Sequence, residues 1–256
     1  MKKHFVEKVL SNEQIAFNTY LLRFTCDDEM LRLFRPGQFA HVKIPCAGEM
    51  LLRRPISINC ADFRKKEVHL AYNPVGKGTR LLTAVKPGDL LDVLMPLGNG
   101  FRIMPDMKKI WLVGGGIGCA PLQSMFDKYQ DKEYKAFLGF RSKDSVYQVE
   151  DFKLYADVYV STDDGTCGEH AFCTQVLEKA LEHDKPDVIL ACGPGPFFRS
   201  LAAVVGDIPT QVSLEQRMGC GTGMCATCVC KVGGEHRRVC VEGPVFDIKE
   251  VDALNG

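Results

Sequence analysis

Short apolar runs, separated by turn-forming residues, occupy the N-terminal part of the chain. They fall at residues 18–25, 39–44, 56–60, 68–72 and 90–95. Proline and glycine punctuate them in Arg35–Gly37, Lys86–Asp89 and Pro96–Gly100, and these residues favour tight turns. Because strands this short at this spacing are typical of closed barrels and sandwiches, we expect an antiparallel β-barrel or sandwich up to about Arg102.

From Lys108 onward, apolar strands alternate with helical patterns. Ile110–Val113 is a continuous apolar run that leads into the glycine-rich segment Gly114–Gly118. Further strands are predicted at 136–139, 158–161 and 188–191, and helices at about 120–129, 171–182 and 197–205. Strands that alternate with helices in this way form a parallel sheet covered by helices, so we expect a change of domain near Pro105–Lys109.

These patterns divide the chain into three units, at residues 1–104, 105–210 and 211–256. The predicted fold class is multidomain β plus α/β, with an antiparallel barrel, a parallel-sheet domain and a small C-terminal segment. That last segment is too short to hold a large core of its own. We therefore expect it to pack against the other two units.

Composition and charge narrow the classes of function. The 256 residues include 32 Lys plus Arg and 32 Asp plus Glu, and this balance gives no electrostatic reason to expect nucleic acid or an anionic membrane as a partner. No apolar run approaches the ~18 residues of a membrane span, and the N-terminus lacks the apolar core of a signal peptide. Twelve cysteines in such a chain indicate metal ligation and buried thiols rather than disulfides, and we expect a cytoplasmic protein.

The most specific chemical pattern is a cysteine loop near the C-terminus. Cys220, Cys225 and Cys228 are spaced C-x4-C-x2-C, the spacing of plant-type [2Fe–2S] ligation. Gly221 and Gly223 allow positive φ, so backbone N–H groups can approach and hydrogen-bond the sulfurs. The spacing therefore predicts that one loop supplies three thiolates to two irons.

A fourth thiolate is expected from a hairpin that follows the loop. A strand, a turn and a return strand are predicted for residues 229–232, 233–236 and 237–241. If Val232 pairs with Arg237, Cys240 returns to the loop beside Cys228. We therefore predict Cys240 as the fourth ligand and interpret Cys230 as a small buried hydrophobic residue.

A zinc site is the alternative interpretation of these cysteines. Zinc favours paired C-x2-C knuckles, often with histidine. Here there is one C-x2-C, a four-residue gap that contains two glycines, and only His236 close by. The sequence favours an iron–sulfur cluster, and visible absorbance distinguishes the two because a zinc protein is colourless.

Two further motifs belong to the predicted barrel. Arg53–Ser57 (RRPIS) stands where a strand should begin, and Gly76–Thr79 is a glycine-rich turn that enters a short helical run. Gly78 and Thr79 can present N–H groups and a hydroxyl to a phosphate. Taken singly, the first motif is an ordinary charged surface and the second a capped turn.

Together, and ahead of an α/β domain, these motifs resemble the ferredoxin–NADP reductase type of flavoprotein. The resemblance implies bound FAD, with Arg54 at the pyrophosphate and Ser57 near N5 of the isoalloxazine. Ile56 stands where many members carry a stacking tyrosine, and Asn73 where related chains often have an arginine. The FAD-binding residues that the resemblance implies are Arg54, Pro55, Ile56, Ser57, Ala71, Tyr72, Asn73, Gly78 and Thr79.

The glycine-rich segment after the first strand of the α/β domain is a phosphate-approach loop. It does not fit G-x-G-x-x-G, because Cys119 occupies the third glycine position, and Arg141 follows the second strand where an acidic residue is expected. The segment resembles instead the G-G-x-G-x-x-P loop of the nicotinamide-binding half of the reductase family. The NAD-binding residues that the resemblance implies are Gly114, Gly115, Gly116, Gly118, Asp163, Cys192 and Gly193.

Two questions stay open in this nicotinamide domain. In the reductase family, a cysteine after the last strand lies near the nicotinamide ring, but Cys192 is equally well explained as a core thiol. Arg141 with Ser142 would suit the 2′-phosphate of NADP, whereas Asp163 or Asp164 would suit the ribose hydroxyl of NAD. The family resemblance given next favours NAD.

The order of barrel, nicotinamide domain and [2Fe–2S] loop resembles the electron-transfer subunits of dihydroorotate dehydrogenase B over nearly the whole chain. The resemblance is sharpest at residues 53–58, 76–79, 114–122, 192–194, 220–228 and 240–246. It implies that electrons pass from FMN in a separate TIM-barrel catalytic subunit, through the cluster and FAD, to NAD+ in pyrimidine synthesis. It also implies a heterotetramer of two of each subunit.

The chain has no residue that we can assign to proton abstraction from dihydroorotate, so we assign it no catalytic residue. We expect NADH–dye reductase activity, but no dihydroorotate oxidation, from the isolated chain. Two alternatives stand beside this hypothesis. One is the flavin and iron–sulfur subunit of another NAD(P)H-linked complex, of the ferredoxin:NADP oxidoreductase or sulfide dehydrogenase type. The other is a zinc-stabilised binding module without flavin.

Overall fold

A computed structural model of the chain describes residues 3–45 and 50–252. Its N-terminal part contains β1 Lys3–Ala16, β2 Thr19–Thr25, α1 Asp28–Leu33, β3 Phe39–Val42, β4 Arg54–Asp62, β5 Glu67–Tyr72, α2 Lys77–Leu82 and β6 Leu90–Leu97. The six strands close an antiparallel barrel in the order β1-β2-β5-β4-β3-β6. This barrel confirms the predicted β architecture and shows that it is not a sandwich.

The barrel interior is filled by alternate apolar residues of its strands, among them Leu22, Phe24, Ile58 and Leu70, each fully buried. The residues between them along each strand face outward from the barrel, because successive side chains of a strand point to opposite faces. On β3 this alternation puts Ala40 and Val42 inside the barrel. The neighbouring residues of β3 therefore face the rest of the molecule.

The remaining elements are, in chain order, β7 Lys109–Gly115, α3 Cys119–Gln123, α4 Met125–Lys128, β8 Glu133–Phe140, α5 Val149–Lys153, β9 Ala156–Thr162, β10 Glu169–His170, α6 Cys173–Leu181, β11 Val188–Cys192, α7 Gly195–Val205, β12 Thr210–Ser213, β13 Val229–Val232, β14 Glu235–Arg238 and β15 Val245–Asp247. Seven strands form one sheet in the order β10-β9-β8-β7-β11-β12-β15. All its pairs are parallel except β12 with β15. The predicted fold class is confirmed, and the helix predicted at 120–129 is divided into α3 and α4 at Ser124.

The C-terminal segment packs against both other units, as expected from its length. Its strand β15 pairs with β12 and completes the sheet. On the barrel side, the amide of Asn99 donates to the carbonyls of Val241 at 2.9 Å and Glu242 at 3.1 Å. The boundaries at residues 104/105 and 210/211 stay predictions, since the sheet takes strands from both sides of residue 210.

Barrel and sheet are joined by polar contacts. Asn59 donates to the Ala120 carbonyl at 3.0 Å, and the Ala61 N–H donates to Asp127 at 2.8 Å. These bonds hold strand β4 against α3 and α4. In the described part of the chain, no helix combines the length and the apolarity that crossing a membrane would take.

Candidate cofactor clefts and cysteine loop

A cleft of about 340 Å³ opens on the outer face of β4 and β5. Seven of the predicted FAD residues line it: Pro55, Ile56, Ser57, Ala71, Tyr72, Asn73 and Thr79. Its opposite wall comes from β7's loop and the C-terminal segment, including Ile117, Met218 and Pro244. A concave, mostly apolar cleft with a few polar groups is typical of cofactor sites.

Arg54 and Gly78, the other two predicted FAD residues, do not line this cleft, but they lie next to Pro55 and Thr79 in the sequence and contact each other. A Cβ on Gly78 would lie 2.5 Å from Nε of Arg54, so the guanidinium rests directly over the glycine. Its Nη1 donates to the Leu52 carbonyl at 2.7 Å and the Arg53 carbonyl at 3.1 Å. A guanidinium anchored in this way against Gly78 fits a phosphate ligand, because its fork of donors matches phosphate oxygens.

The walls of this cleft are held by hydrogen bonds to the barrel. The Tyr72 hydroxyl donates to Asn12 at 3.0 Å, and burial raises the pKa of that hydroxyl. Asn73 accepts a bond from Thr19 at 3.3 Å. Ile56 is 7% exposed and belongs to the barrel core, so it offers the cleft an aliphatic surface in place of an aromatic ring.

A second cleft, of about 430 Å³, lies at the carboxyl ends of the parallel strands. The predicted residues that line it are Gly115, Gly116, Gly118, Asp163 and Gly193. Ligands of open α/β sheets bind at this edge. The cleft therefore fits a nicotinamide coenzyme.

Two of the predicted glycines act through close packing. A Cβ on Gly118 would overlap the Cys192 carbonyl, and one on Gly114 would lie 2.7 Å from Sγ of Cys119. These contacts bring the loop after β7 against β11 and α3. Gly114 therefore packs against Cys119 outside the cleft, whereas Gly118 both packs closely and lines the cleft.

The structure separates the two candidate aspartates. Asp163 lines the second cleft together with Arg141, and burial followed by the charge of Asp164 raises its pKa. Asp164 accepts hydrogen bonds from the Thr166 N–H at 3.0 Å and hydroxyl at 2.6 Å. Asp163 therefore borders the second cleft, whereas Asp164 closes a turn.

Cys192 lies at the end of β11 and is 1% exposed. Burial raises the pKa of its thiol, and the charge of Glu215 raises it further. A buried thiol in such surroundings stays protonated and unreactive. This position favours the core-thiol interpretation, with Gly193 as the residue that faces the cleft.

Glu215 belongs to the site although none of the sequence motifs includes it. It follows β12 and lines both clefts. Although the residue as a whole is exposed, the crowding around its carboxyl raises its pKa. Its place immediately after a parallel strand, at the ligand-binding edge of the sheet, is the signal that could have found it.

The four predicted cysteine ligands come together as two pairs. The backbone N–H of Cys220 donates to Sγ of Cys225 at 3.3 Å, and that of Cys225 to Sγ of Cys220 at 3.4 Å. The N–H of Cys240 donates to Sγ of Cys228 at 3.4 Å. Positive φ at Gly221 and Gly223 turns the loop around the first pair.

Pairing of the thiols bears on which metal group fits. Among residues 3–45 and 50–252, no three His, Cys, Asp or Glu side chains gather around one point as a single metal ion requires. Structural zinc needs four ligands around one ion, whereas a [2Fe–2S] cluster takes four thiolates on two irons. The two thiol pairs contain the four thiolates that a [2Fe–2S] cluster takes.

The hairpin that returns Cys240 has a different register from the predicted one. Val232 pairs with Glu235 rather than Arg237, because Gly233 and Gly234 both take positive φ and form a two-residue turn. Cys240 consequently lies beyond the paired strands. It still meets Cys228, since the next residue back, Val239, donates its N–H to the Cys228 carbonyl at 3.1 Å.

The two thiol pairs differ in exposure and in pKa. Burial alone would raise the pKa of Cys220, but hydrogen bonds from Thr222 and from the Cys225 N–H outweigh it and lower that pKa to about 5. Burial and the neighbouring Cys228 raise the pKa of Cys240 to about 12. Cys225 is exposed, whereas Cys228 and Cys240 are 2% and 1% exposed. The loop therefore reaches from the surface into the core.

The barrel, the sheet with its glycine loop and the paired cysteines define a reductase of the ferredoxin–NADP reductase fold with a cysteine-rich C-terminal extension. Dihydroorotate dehydrogenase B (NAD(+)), electron transfer subunit, of Bacillus velezensis is 44% identical to the chain over 253 residues, 95% of this chain and 96% of the relative. The chain belongs to that family, the electron-transfer subunits of dihydroorotate dehydrogenase B. The corresponding subunit of Enterococcus faecalis is 36% identical and covers 98% of both chains.

Other comparisons agree with this membership. Residues 215–252 match the family described as the iron–sulfur cluster binding domain of dihydroorotate dehydrogenase B. The structure of an NADH-dependent reduced ferredoxin–NADP oxidoreductase superposes with a TM-score of 0.84 at 28% identity, covering 98% of this chain and 92% of that one. Phthalate dioxygenase reductase, with a TM-score of 0.65 at 18% identity over 90% and 86% of the two chains, shares the fold.

Proposed function

We propose that this chain carries electrons from a catalytic partner subunit to NAD+, through a [2Fe–2S] cluster and FAD, and so serves NAD-linked dihydroorotate oxidation in pyrimidine synthesis. Its family membership supports the reaction, and the match of residues 215–252 supports the cluster. One structural observation carries the proposal. Met218 and Pro244, on either side of the cysteine segment, line the flavin cleft, so the cluster loop and that cleft share a wall.

Each unit has one binding task in this proposal. Residues 1–104 bind FAD, residues 105–210 bind NAD, and residues 211–256 bind the cluster. Arg54 and Thr79 hold the FAD phosphates, while residues 55–57 and 71–73 form the wall against the isoalloxazine. Cys220, Cys225, Cys228 and Cys240 hold the irons.

The chain's contribution is to place its ligands next to one another. Bound flavin supplies the conversion between single electrons and a hydride. Ile117 and Glu215 border both clefts, so a nicotinamide in the second cleft adjoins a flavin in the first. On the other side, the buried pair Cys228 and Cys240 packs in the same core as Phe39, which lines the flavin cleft.

The printed name of the relatives, an electron transfer subunit, implies a catalytic partner. We propose that this partner is an FMN-containing TIM barrel and that the complex is a heterotetramer of two of each chain. The exposed end of the cysteine loop supports an electron donor outside this chain, because Met224 is 89% exposed and Cys225 beside it is exposed. A partner seated there approaches one thiol pair while the other faces the flavin cleft.

Co-expression with the catalytic subunit tests the proposal. The complex should reduce NAD+ with dihydroorotate, and light scattering should give the mass of two copies of each chain. The chain alone should reduce dyes with NADH and leave dihydroorotate unchanged. Dihydroorotate oxidation by the isolated chain would contradict the division of labour.

A second candidate has a specific observation in its favour. The structural likeness to an NADH-dependent ferredoxin–NADP oxidoreductase covers 98% of this chain, so the same layout suits the small subunit of such a complex. The partner distinguishes the two functions. Co-purification with an FMN barrel supports dihydroorotate oxidation, whereas co-purification with a larger flavoprotein supports the second candidate.

A further inference from the structure

His41 lies between the flavin-side strand and the cysteine loop. It sits on β3 between Ala40 and Val42, which face the barrel core, so its own side chain faces outward. Its cross-strand partner on β4 is Pro55, which lines the flavin cleft. On the opposite side, a Cβ on Gly221 would lie 2.5 Å from Nδ1 of His41, so the ring packs directly on the loop between Cys220 and Cys225.

The imidazole is buried, and no protein group makes a hydrogen bond of standard geometry to it. His41 is 1% exposed, and neither Nδ1 nor Nε2 makes a hydrogen bond to a described residue. The carbonyls of Arg53 and Cys220 face the ring, outside standard hydrogen-bond geometry. Buried polar side-chain atoms are nearly always paired, and an unpaired one indicates a ligand or a functional role.

The surroundings of the ring indicate what that ligand is. The ring contacts Gly221, which belongs to the loop that would surround the irons. Because His41 lies opposite Pro55 on β4, the ring is also next to the wall of the flavin cleft. Cluster sulfurs accept hydrogen bonds, and such bonds set the reduction potential of iron–sulfur groups. An imidazole N–H at this place lies against the loop that carries Cys220 and Cys225 and can donate to a group that the loop holds.

We propose that His41 is a positioning residue for electron transfer. It donates a ring N–H to a sulfur of the cluster that the four cysteines hold, and its ring lies between that cluster and the flavin cleft. This inference rests on the proposed function. His41 neither gains nor loses an electron. Because a donor stabilises the more negative, reduced cluster, its removal should make the cluster harder to reduce.

Redox titration followed by electron paramagnetic resonance tests the proposal in the complete chain. His41→Leu removes both nitrogens and keeps similar bulk, whereas His41→Asn and His41→Gln keep an amide near the positions of Nδ1 and Nε2. We expect His41→Leu to lower the ratio of reduced to oxidised cluster about tenfold at a fixed potential, which is ~59 mV for one electron. One of the two amide variants should restore the wild-type ratio, and the other should not.

Stopped-flow reduction by NADH gives a second readout. In His41→Leu, flavin bleaching should keep the wild-type rate, whereas appearance of the reduced cluster should slow. His69→Leu is the matched control, because His69 is a partly buried barrel histidine paired with Glu67 on β5. It should leave both the potential and the rates unchanged.

The outcomes separate this proposal from the function on which it rests. Wild-type protein without a cluster signal refutes the proposed function itself. A normal wild-type signal with an unchanged potential in His41→Leu, or the same shift in all three variants, overturns the role of His41 alone. If His41→Leu fails to hold a cluster, His41→Asn and His41→Gln decide: different potentials support a directed donor, and equal potentials refute it.

Discussion

Replacing Arg54 by alanine tests the flavin site at its only charged predicted contact. The guanidinium rests over Gly78, where a Cβ would come within 2.5 Å of Nε, and the Leu52 carbonyl anchors Nη1 at 2.7 Å. A hydrogen bond between charged groups contributes about 1.5–3 kcal/mol. Loss of one such bond should weaken FAD binding about 10- to 100-fold, because about 1.4 kcal/mol equals a factor of ten in affinity.

The neighbouring arginine supplies the control. Arg53 pairs with the Asp92 carboxylate at 2.8 Å and donates to the Asp92 carbonyl at 2.9 Å, so its charge is used within the barrel. Titration of flavin-free protein with FAD, followed by flavin fluorescence, measures the affinity of Arg54→Ala and Arg53→Ala. The reasoning is refuted if Arg54→Ala binds FAD within about threefold of wild type, or if both variants lose the same affinity.

Three further predictions concern the cluster, the coenzyme and stability. Cys225→Ser should lose the iron–sulfur absorbance and, in gel filtration, assembly with the catalytic subunit. Cys230→Ser should keep both, because the Cys230 thiol donates to a backbone carbonyl at 3.7 Å. Normal assembly of Cys225→Ser would show that the cluster and the interface are separable. Asp163→Asn should raise KM for NADH about 3- to 10-fold in the dye assay, and Asp164→Asn should not; equal KM values would contradict the assignment. Burial raises the pKa of Asp127 from 3.8 to about 6, so the folded protein favours the protonated carboxyl. The free energy of unfolding is therefore highest at low pH, where Asp127 is protonated in both states, and it falls as pH rises through that range. Relative to Asp127→Asn in urea unfolding, wild type should lose up to about 3 kcal/mol between pH 4 and pH 7; a difference that is independent of pH would contradict this.

The sequence predicted most strands of the barrel and sheet because their apolar patterns are strong. Strand β1, Lys3–Ala16, was not predicted, since only Phe5 and Val9 of its described residues are buried. Its stability comes from pairing with β2 and β6, which lies outside any local pattern. The predicted hairpin register is wrong for a local reason: the consecutive glycines at 233 and 234 favour a two-residue turn, whereas the prediction has a four-residue turn at 233–236.

The candidate site was predicted in its motifs but not in its connections. The cysteine spacing and RRPIS predicted residues that the fold brings to one cleft and one loop. Glu215 joins the two clefts, and His41 meets Gly221 across most of the chain's length. The position of Glu215 after a parallel strand is a signal of the site, but the contact of His41 depends on how the barrel and the C-terminal segment pack, so no spacing within either segment indicates it.

The central claim is that nicotinamide, flavin and cluster exchange electrons within this single chain. An anaerobic NADH titration of the purified protein, followed by visible and electron paramagnetic resonance spectroscopy, tests it most directly. The account predicts that NADH bleaches the flavin band and produces the signal of a reduced [2Fe–2S] cluster in the same titration. Bleaching without that signal in protein that contains zinc instead of iron would contradict it.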